Sequence, residues 1–165
     1  MSVASALYLW YNVRQQTRRD AISHIAEISV IVKDIDALAA AAKELGLDFC
    51  RGQATYKWYG RSLGDTPLPA GLKASDLGKC DHALRIAGNA KAYEIGVKQM
   101  ADGTYRLLWD FWQGGYGLQD KVGQNAGKLI QEYAAQVALK KARQQGFAVQ
   151  RKMLADGRVQ LVCRK

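Results

Sequence analysis

From His24 onward apolar and polar positions alternate, with Ala26, Ile28, Val30 and Val32 on one side of an extended chain. Ile25 and Ile31 make the other side partly apolar, so the pattern predicts a strand covered on both faces. At Asp34 the period changes. Ile35, Leu38, Ala41, Ala42 and Leu45 recur at spacings of three and four. Asp34 stands where an N-cap side chain accepts backbone N–H groups, and Gly46 where a helix closes in the left-handed conformation. Residues 47–50 and 55–59 then read as short strands separated by Arg51-Gly52-Gln53. Residues 60–80 hold both prolines and Gly60, Gly64, Gly71 and Gly78 without sustained periodicity, which predicts a long surface loop.

Three further strands follow over 83–87, 93–99 and 105–112, the last two joined at Asp102-Gly103, a hairpin signal. Gln113-Gly114-Gly115-Tyr116-Gly117 ends the sheet. The longest helix is predicted over 120–145, with Val122, Ala126, Leu129, Ile130, Tyr133 and Val137 as its inward stripe and Gly146 as its stop. A closing hairpin spans 147–153 and 158–163 around Asp156-Gly157. Both hairpins carry Ala-Asp-Gly after a methionine, a likeness that turn chemistry alone explains. The order of elements predicts an α+β fold, a mainly antiparallel sheet with two helices packed on one face, as in a ferredoxin-like sandwich.

Residues 1–22 read as an extension: 4–13 is apolar and aromatic, and Arg14, Arg18 and Arg19 follow, the pattern of a short amphipathic helix. The apolar run is about half of the ~20 residues needed to span a bilayer, and its basic cluster follows it, the reverse of a secretory signal. A cytoplasmic protein is expected, with 23–165 as a single domain long enough to bury its own core. Cys50, Cys80 and Cys163 show no CxxC spacing and suggest neither a disulfide framework nor a zinc knuckle.

Ser23-His24-Ile25, Glu44-Leu45-Gly46, Tyr93-Glu94-Ile95-Gly96, Asp102-Gly103-Thr104-Tyr105, the 112–117 segment, Gln131-Glu132-Tyr133-Ala134, Gly146-Phe147 and Asp156-Gly157 stand out together. With them, residues 23–163 resemble the family of small proteins typified by hypothetical chloroplast reading frame thirty-five, with plastid, cyanobacterial, bacterial and phage members. The resemblance implies a compact single domain, in the cytoplasm, plastid stroma or host cytoplasm. It supplies no activity and no catalytic residue. Relatives begin just before the Ser-His pair, so residues 1–22 are expected to be dispensable for folding.

Reactive residue types cluster only at Cys80-Asp81-His82, which reads as a solvent-facing lead into the next strand; His24 reads as a strand-start residue. Asp34 and Asp36 sit at a helix start, where the macrodipole accounts for them. Gly114-Gly115-Tyr116-Gly117 invites a phosphate-loop reading, but neither GxGxxG nor GxxxxGK[ST] is present. The sequence therefore assigns no catalytic residue, no metal ligand and no cofactor.

Charge changes the picture most. Residues 121–165 carry ten Lys or Arg against Glu132 and Asp156, whereas residues 1–120 carry fourteen against thirteen. That asymmetry predicts an acidic macromolecular partner, protein or nucleic acid, engaged by Lys140, Lys141, Arg143, Arg151, Lys152 and Arg158. The helix dipole already favours cations at 140–143, and cationic edge strands discourage aggregation. Trp109, Trp112 and Tyr116 are candidates for stacking bases of single-stranded nucleic acid if the second face of the sheet is open. A small-ligand or enzymatic site at 112–117 is the remaining alternative. The leading expectation is a non-enzymatic accessory or regulatory domain.

Overall fold

The computed structural model describes residues 25–60 and 67–165; the extension expected at 1–22 and His24 lie outside the described residues. The first strand, β1 (Ile25–Val32), runs into helix α1 (Ile35–Glu44). Asp34 caps α1 as its sequence position predicts, its Oδ1 accepting the Asp36 and Ala37 N–H groups at 3.1 and 3.0 Å. Such a cap contributes about 1 kcal/mol. Strands β2 (Leu47–Arg51), β3 (His82–Ile86), β4 (Ile95–Gln99) and β5 (Tyr105–Asp110) follow as an antiparallel meander.

The sheet order is β1-β5-β4-β3-β2, with every neighbour antiparallel. β1 and β2 therefore run parallel at opposite edges, and α1 crosses one face between them. The α+β class stands, but the ferredoxin-like connectivity does not. That fold alternates βαββαβ, whereas here four strands run consecutively between α1 and the next helix.

Helices and sheet close over one core, in which Val32, Leu38, Leu84, Ile95, Val97, Leu107, Leu118 and Leu129 are fully buried. The opposite face of the sheet is covered too, by chain that is not regular. Residues 55–59 make only the bridge Thr55 to Lys79 instead of the expected strand. The stretch is held out of the ladder because Tyr56 lies flat on β4, over Gly96. A Cβ on Gly96 would stand 2.3 Å from Tyr56 Cδ1, so only glycine admits the ring. Leu72, Cys80, Ala83 and Leu108 complete this second cluster, so the stretch at 60–80 supplies buried side chains as well as surface. On β1 the expected two-sided cover holds only at Ile25; Ile31 is 64% exposed.

The helix expected over 120–145 is two helices, α2 (Leu118–Val122) and α3 (Gly127–Gln144), separated by a 3-10 turn at Gln124–Ala126. Gly123 breaks it, at φ +82°, where an added Cβ would lie 2.9 Å from Lys128 Cγ. The apolar stripe survives the break, with Val122, Ala126, Leu129 and Tyr133 buried and Ile130 and Val137 packed against them. Period alone reads through such a glycine. The closing hairpin, β6 (Ala148–Met153) and β7 (Val159–Arg164), forms its own two-stranded sheet against α3. None of its side chains belongs to either apolar cluster.

Candidate functional site

Arg151 lies on the hairpin face that meets α3. Its Nη2 stands 2.6 Å from Glu132 Oε2 and its Nη1 3.9 Å from Glu44 Oε2. Glu132 is only 2% exposed and also accepts from Gln136 Nε2 at 2.9 Å. A carboxylate removed from water in the middle of a helix needs such partners. The tip of the hairpin is tied down by Gln131 Nε2 donating to the Gly157 carbonyl at 2.9 Å.

Two more of the expected cations are likewise engaged within the molecule. Lys140 Nζ reaches Asp34 Oδ2 at 2.6 Å, joining the last turns of α3 to the first turn of α1. The Lys140 hydrogen bond, followed by the Ala37 N–H, holds the Asp34 carboxyl below the usual range, and Asp34 holds the Lys140 ammonium above its own. Arg158 closes on Asp156 at 2.6 Å inside the turn.

The remaining cations form a layer. Among the described residues Lys141, Arg143, Lys152, Arg164 and Lys165 make no ion pair. The register pairs Ala148 with Arg164, Gln150 with Val162 and Lys152 with Gln160. Opposed residues share a face and faces alternate along a strand, so Lys152 and Arg164 stand on the side of the hairpin away from Arg151. The pairing also brings Arg164 and Lys165 to the root of the hairpin, a few residues from Lys141 and Arg143. Both carboxylates between Gly127 and Lys165 are already engaged by Arg151 and Arg158.

The aromatic candidates separate from this layer and from one another. Trp109 is 4% exposed and packs in the helix-side core, so it presents no face for stacking. The second face of the sheet is covered by Tyr56 and Leu72, which removes the open platform that base stacking requires. Trp112 is half-buried and Tyr116 exposed, and their rings meet edge-on at 6.0 Å. Tyr59 packs on Trp112 at 5.8 Å and Tyr93 on Tyr116 at 5.1 Å. Burial, then the charge of Asp110, pushes the Tyr93 phenol up to about 12. Asp110 is fully buried, its carboxylate accepting the N–H groups of Trp112 at 3.0 Å and Tyr59 at 3.2 Å. Gln113, Tyr116, Asn125 and Ala126, the described non-glycine residues at positive φ, all fall between β5 and α3.

This cluster lies at the other end of β1 from Lys141 and Arg143, whereas Lys152, beside the Arg151 that meets Glu44 and Glu132, stands toward the cluster's end of the fold. Lys140 pins the end of α3 beside Asp34, next to Val32, whereas Trp112 follows Asp110, the partner of Ile25. Seven residues of β1 separate the two ends, about 23 Å along the strand.

Cys80-Asp81-His82 resolves into backbone anchors. Cys80 is buried rather than solvent-facing, with its thiol donating to the Gln53 carbonyl at 3.1 Å; burial, then Asp81, pushes the thiol up to about 11. A thiol so disposed is a poor nucleophile. Asp81 accepts from Gln99 N–H at 2.7 Å, and His82 Nδ1 from Gly52 N–H at 3.0 Å. Among the described residues no group of three or more His, Cys, Asp or Glu is disposed to hold a metal ion, and no helix is long and apolar enough to cross a membrane.

Asp110, Glu132, Tyr59 and Tyr93 escape sequence reasoning as site residues. The first two carry a visible signal, a lone carboxylate inside an otherwise apolar run, in Leu-Leu-Trp-Asp-Phe-Trp and in the stripe of α3. A buried acid in such a run demands a partner from elsewhere in the chain.

Fold and surface define a basic α+β domain, an antiparallel meander backed by helices with a cationic hairpin layered on the last of them. The chain belongs to the family described as protein of unknown function (DUF1257), which matches residues 73–162. That span runs from the segment before β3 into β7 and leaves out β1, α1 and β2. No curated protein and no solved structure matches the chain.

Proposed function

We propose that this chain is a non-enzymatic accessory or regulatory domain that engages an acidic protein through the last turns of α3 and the outer face of the β6–β7 hairpin. One observation carries the reading. Lys141, Arg143, Lys152, Arg164 and Lys165 have no ion-pair partner among the described residues, while neighbouring Arg151 and Arg158 use up the carboxylates of that layer. Lys141, Arg143 and Lys152 make the contacts; Lys140, Arg151 and Arg158 hold the surface in shape. Acidic protein is favoured over nucleic acid because Trp109 is in the core, the second face of the sheet is covered, and Trp112 and Tyr116 lie at the other end of β1 from Lys141 and Arg143. We also read the family as the one typified by hypothetical chloroplast reading frame thirty-five, acting in the cytoplasm, the plastid stroma or a host cytoplasm.

Fluorescence anisotropy of labelled poly-glutamate and of a labelled single-stranded oligonucleotide across a salt series tests the reading. Expected is poly-glutamate binding that weakens as salt rises and is lost in Lys141→Glu/Arg143→Glu/Lys152→Glu. Tighter oligonucleotide binding that Trp112→Ala weakens would replace it with nucleic-acid recognition. Trp109→Ala is no test, because that ring is part of the core.

A second reading, a small-ligand or enzymatic site at 112–117, is favoured by the concentration of left-handed non-glycine residues between β5 and α3, a strain that accompanies functional loops. Tryptophan fluorescence in Tyr116→Gly, which relieves the strain at that position, checks it: a metabolite titration that shifts the wild type but not the variant supports this reading.

A further inference from the structure

A groove runs between the end of β1 and α3. Its walls are Val30 and Ile31 of the strand and Ile130, Ala134, Val137 and Ala138 of the helix, enclosing about 410 Å³. β1 is the edge of the sheet here. Three polar residues enter the lining, and two of them are spoken for. The Tyr133 hydroxyl accepts the Lys33 and Asp34 N–H groups at 2.9 and 3.3 Å, and Asp34 holds Lys140. What remains is an apolar trough with Lys33 as its other polar lining residue, and Ile31 in it is 64% exposed. Its chemistry suits an apolar, aromatic segment and offers little to a polar ligand.

We propose that residues 4–13 of this same chain cover the groove. The stretch Ala-Ser-Ala-Leu-Tyr-Leu-Trp-Tyr-Asn-Val supplies apolar and aromatic side chains and no charge. Its tether ends at the right strand. Residues 14–24 lead directly into Ile25, and the groove begins at Val30 of the same strand, about 17 Å along β1. Eleven residues span up to about 36 Å, so the tether reaches without strain. Along α3 the trough from Ile130 to Ala138 is about 12 Å long, within reach of a ten-residue segment whether coiled or extended. Tethering also gives the segment an effective concentration in the millimolar range, above that of any free competitor of similar chemistry. Arg14, Arg18 and Arg19 then fall on the tether, outside the trough.

Maleimide labelling of Ala134→Cys in the full-length chain, read on the peptide that carries it so that Cys163 does not interfere, tests the proposal. The comparison is with the same chain carrying Leu7→Glu, Leu9→Glu and Trp10→Glu. Expected is labelling about tenfold slower with the native segment, the protection given by an occupant bound for all but a tenth of the time. Ala138→Cys should respond alike, and Ala101→Cys, in the β4–β5 turn, should react equally in both chains. Equal rates at 134 and 138 would overturn the proposal. Protection that grows with protein concentration would overturn it in favour of a second copy of the chain.

Discussion

On the five-stranded sheet, Leu84, Ile95, Leu107 and Leu108 are wholly buried, and both faces are covered. On the β6–β7 hairpin no residue reaches that state, Met153 is 57% exposed, and the strongest tie to the body is Arg151 on Glu132. The first region is ordered by removing apolar surface from water, a force without direction. The second is docked by directional polar contacts, and its outer face is left cationic. The difference teaches where function can change without loss of the fold: an outward cation of the hairpin carries no buried surface, whereas nearly every inward side chain of the sheet does.

Breaking the sheet should have the largest effect. Leu107→Ala removes a fully buried side chain at the centre of the core and should cost about 3 kcal/mol in urea unfolding. Next is the docking contact. Arg151→Ala leaves Glu132 buried with Gln136 as its remaining side-chain partner, and should cost about 2 kcal/mol, below the ~3 to 5 kcal/mol of a wholly buried pair because Arg151 is partly exposed. If desolvation of Glu132 is the cause, adding Glu132→Leu should restore much of that loss. Gly123→Ala sharpens the comparison at the joint between α2 and α3. The positive φ and the approach to Lys128 should cost about 1 to 2 kcal/mol, measured as a lowered denaturation midpoint.

The smallest expected effect is pH-dependent. Asp34 has its folded pKa lowered, so its contribution is present above the unfolded value and is lost as pH falls through the folded one. Lys140 has its folded pKa raised, so its contribution is present below the unfolded value and is lost as pH rises through the folded one. The stability difference between wild type and Lys140→Met should therefore be flat across neutral pH and shrink at both extremes, as followed by chemical denaturation over a pH series.

Much of the main sheet is legible in sequence because its causes are local. The Asp34 cap, the three-and-four spacing of α1 and the glycine turns at 102–103 and 156–157 each act over a few residues, and each forms as expected. What escapes is set by distant partners. The path of 55–59 depends on Gly96 admitting Tyr56, forty residues along, and no periodicity reports it. The break at Gly123 hides inside an apolar stripe that continues on either side. At the candidate surface the sequence shows the cations but not their pairing. Lys140 and Arg151 look like their neighbours in a charge count, and only the fold sets Asp34 and Glu132 against them. The aromatic run 109–116 reads as one platform because it is contiguous, yet the strand ends at Asp110 and sends Trp109 and Trp112 to different surroundings.

The division of labour between inward and outward cations is tested most directly by measuring poly-glutamate affinity and urea midpoint together, in Lys141→Glu/Arg143→Glu/Lys152→Glu and in Arg151→Ala. The account predicts that the first variant loses binding with stability within about 0.5 kcal/mol of wild type, while the second loses stability first. A triple variant that binds as the wild type does, or an Arg151→Ala protein as stable as the wild type, would contradict it.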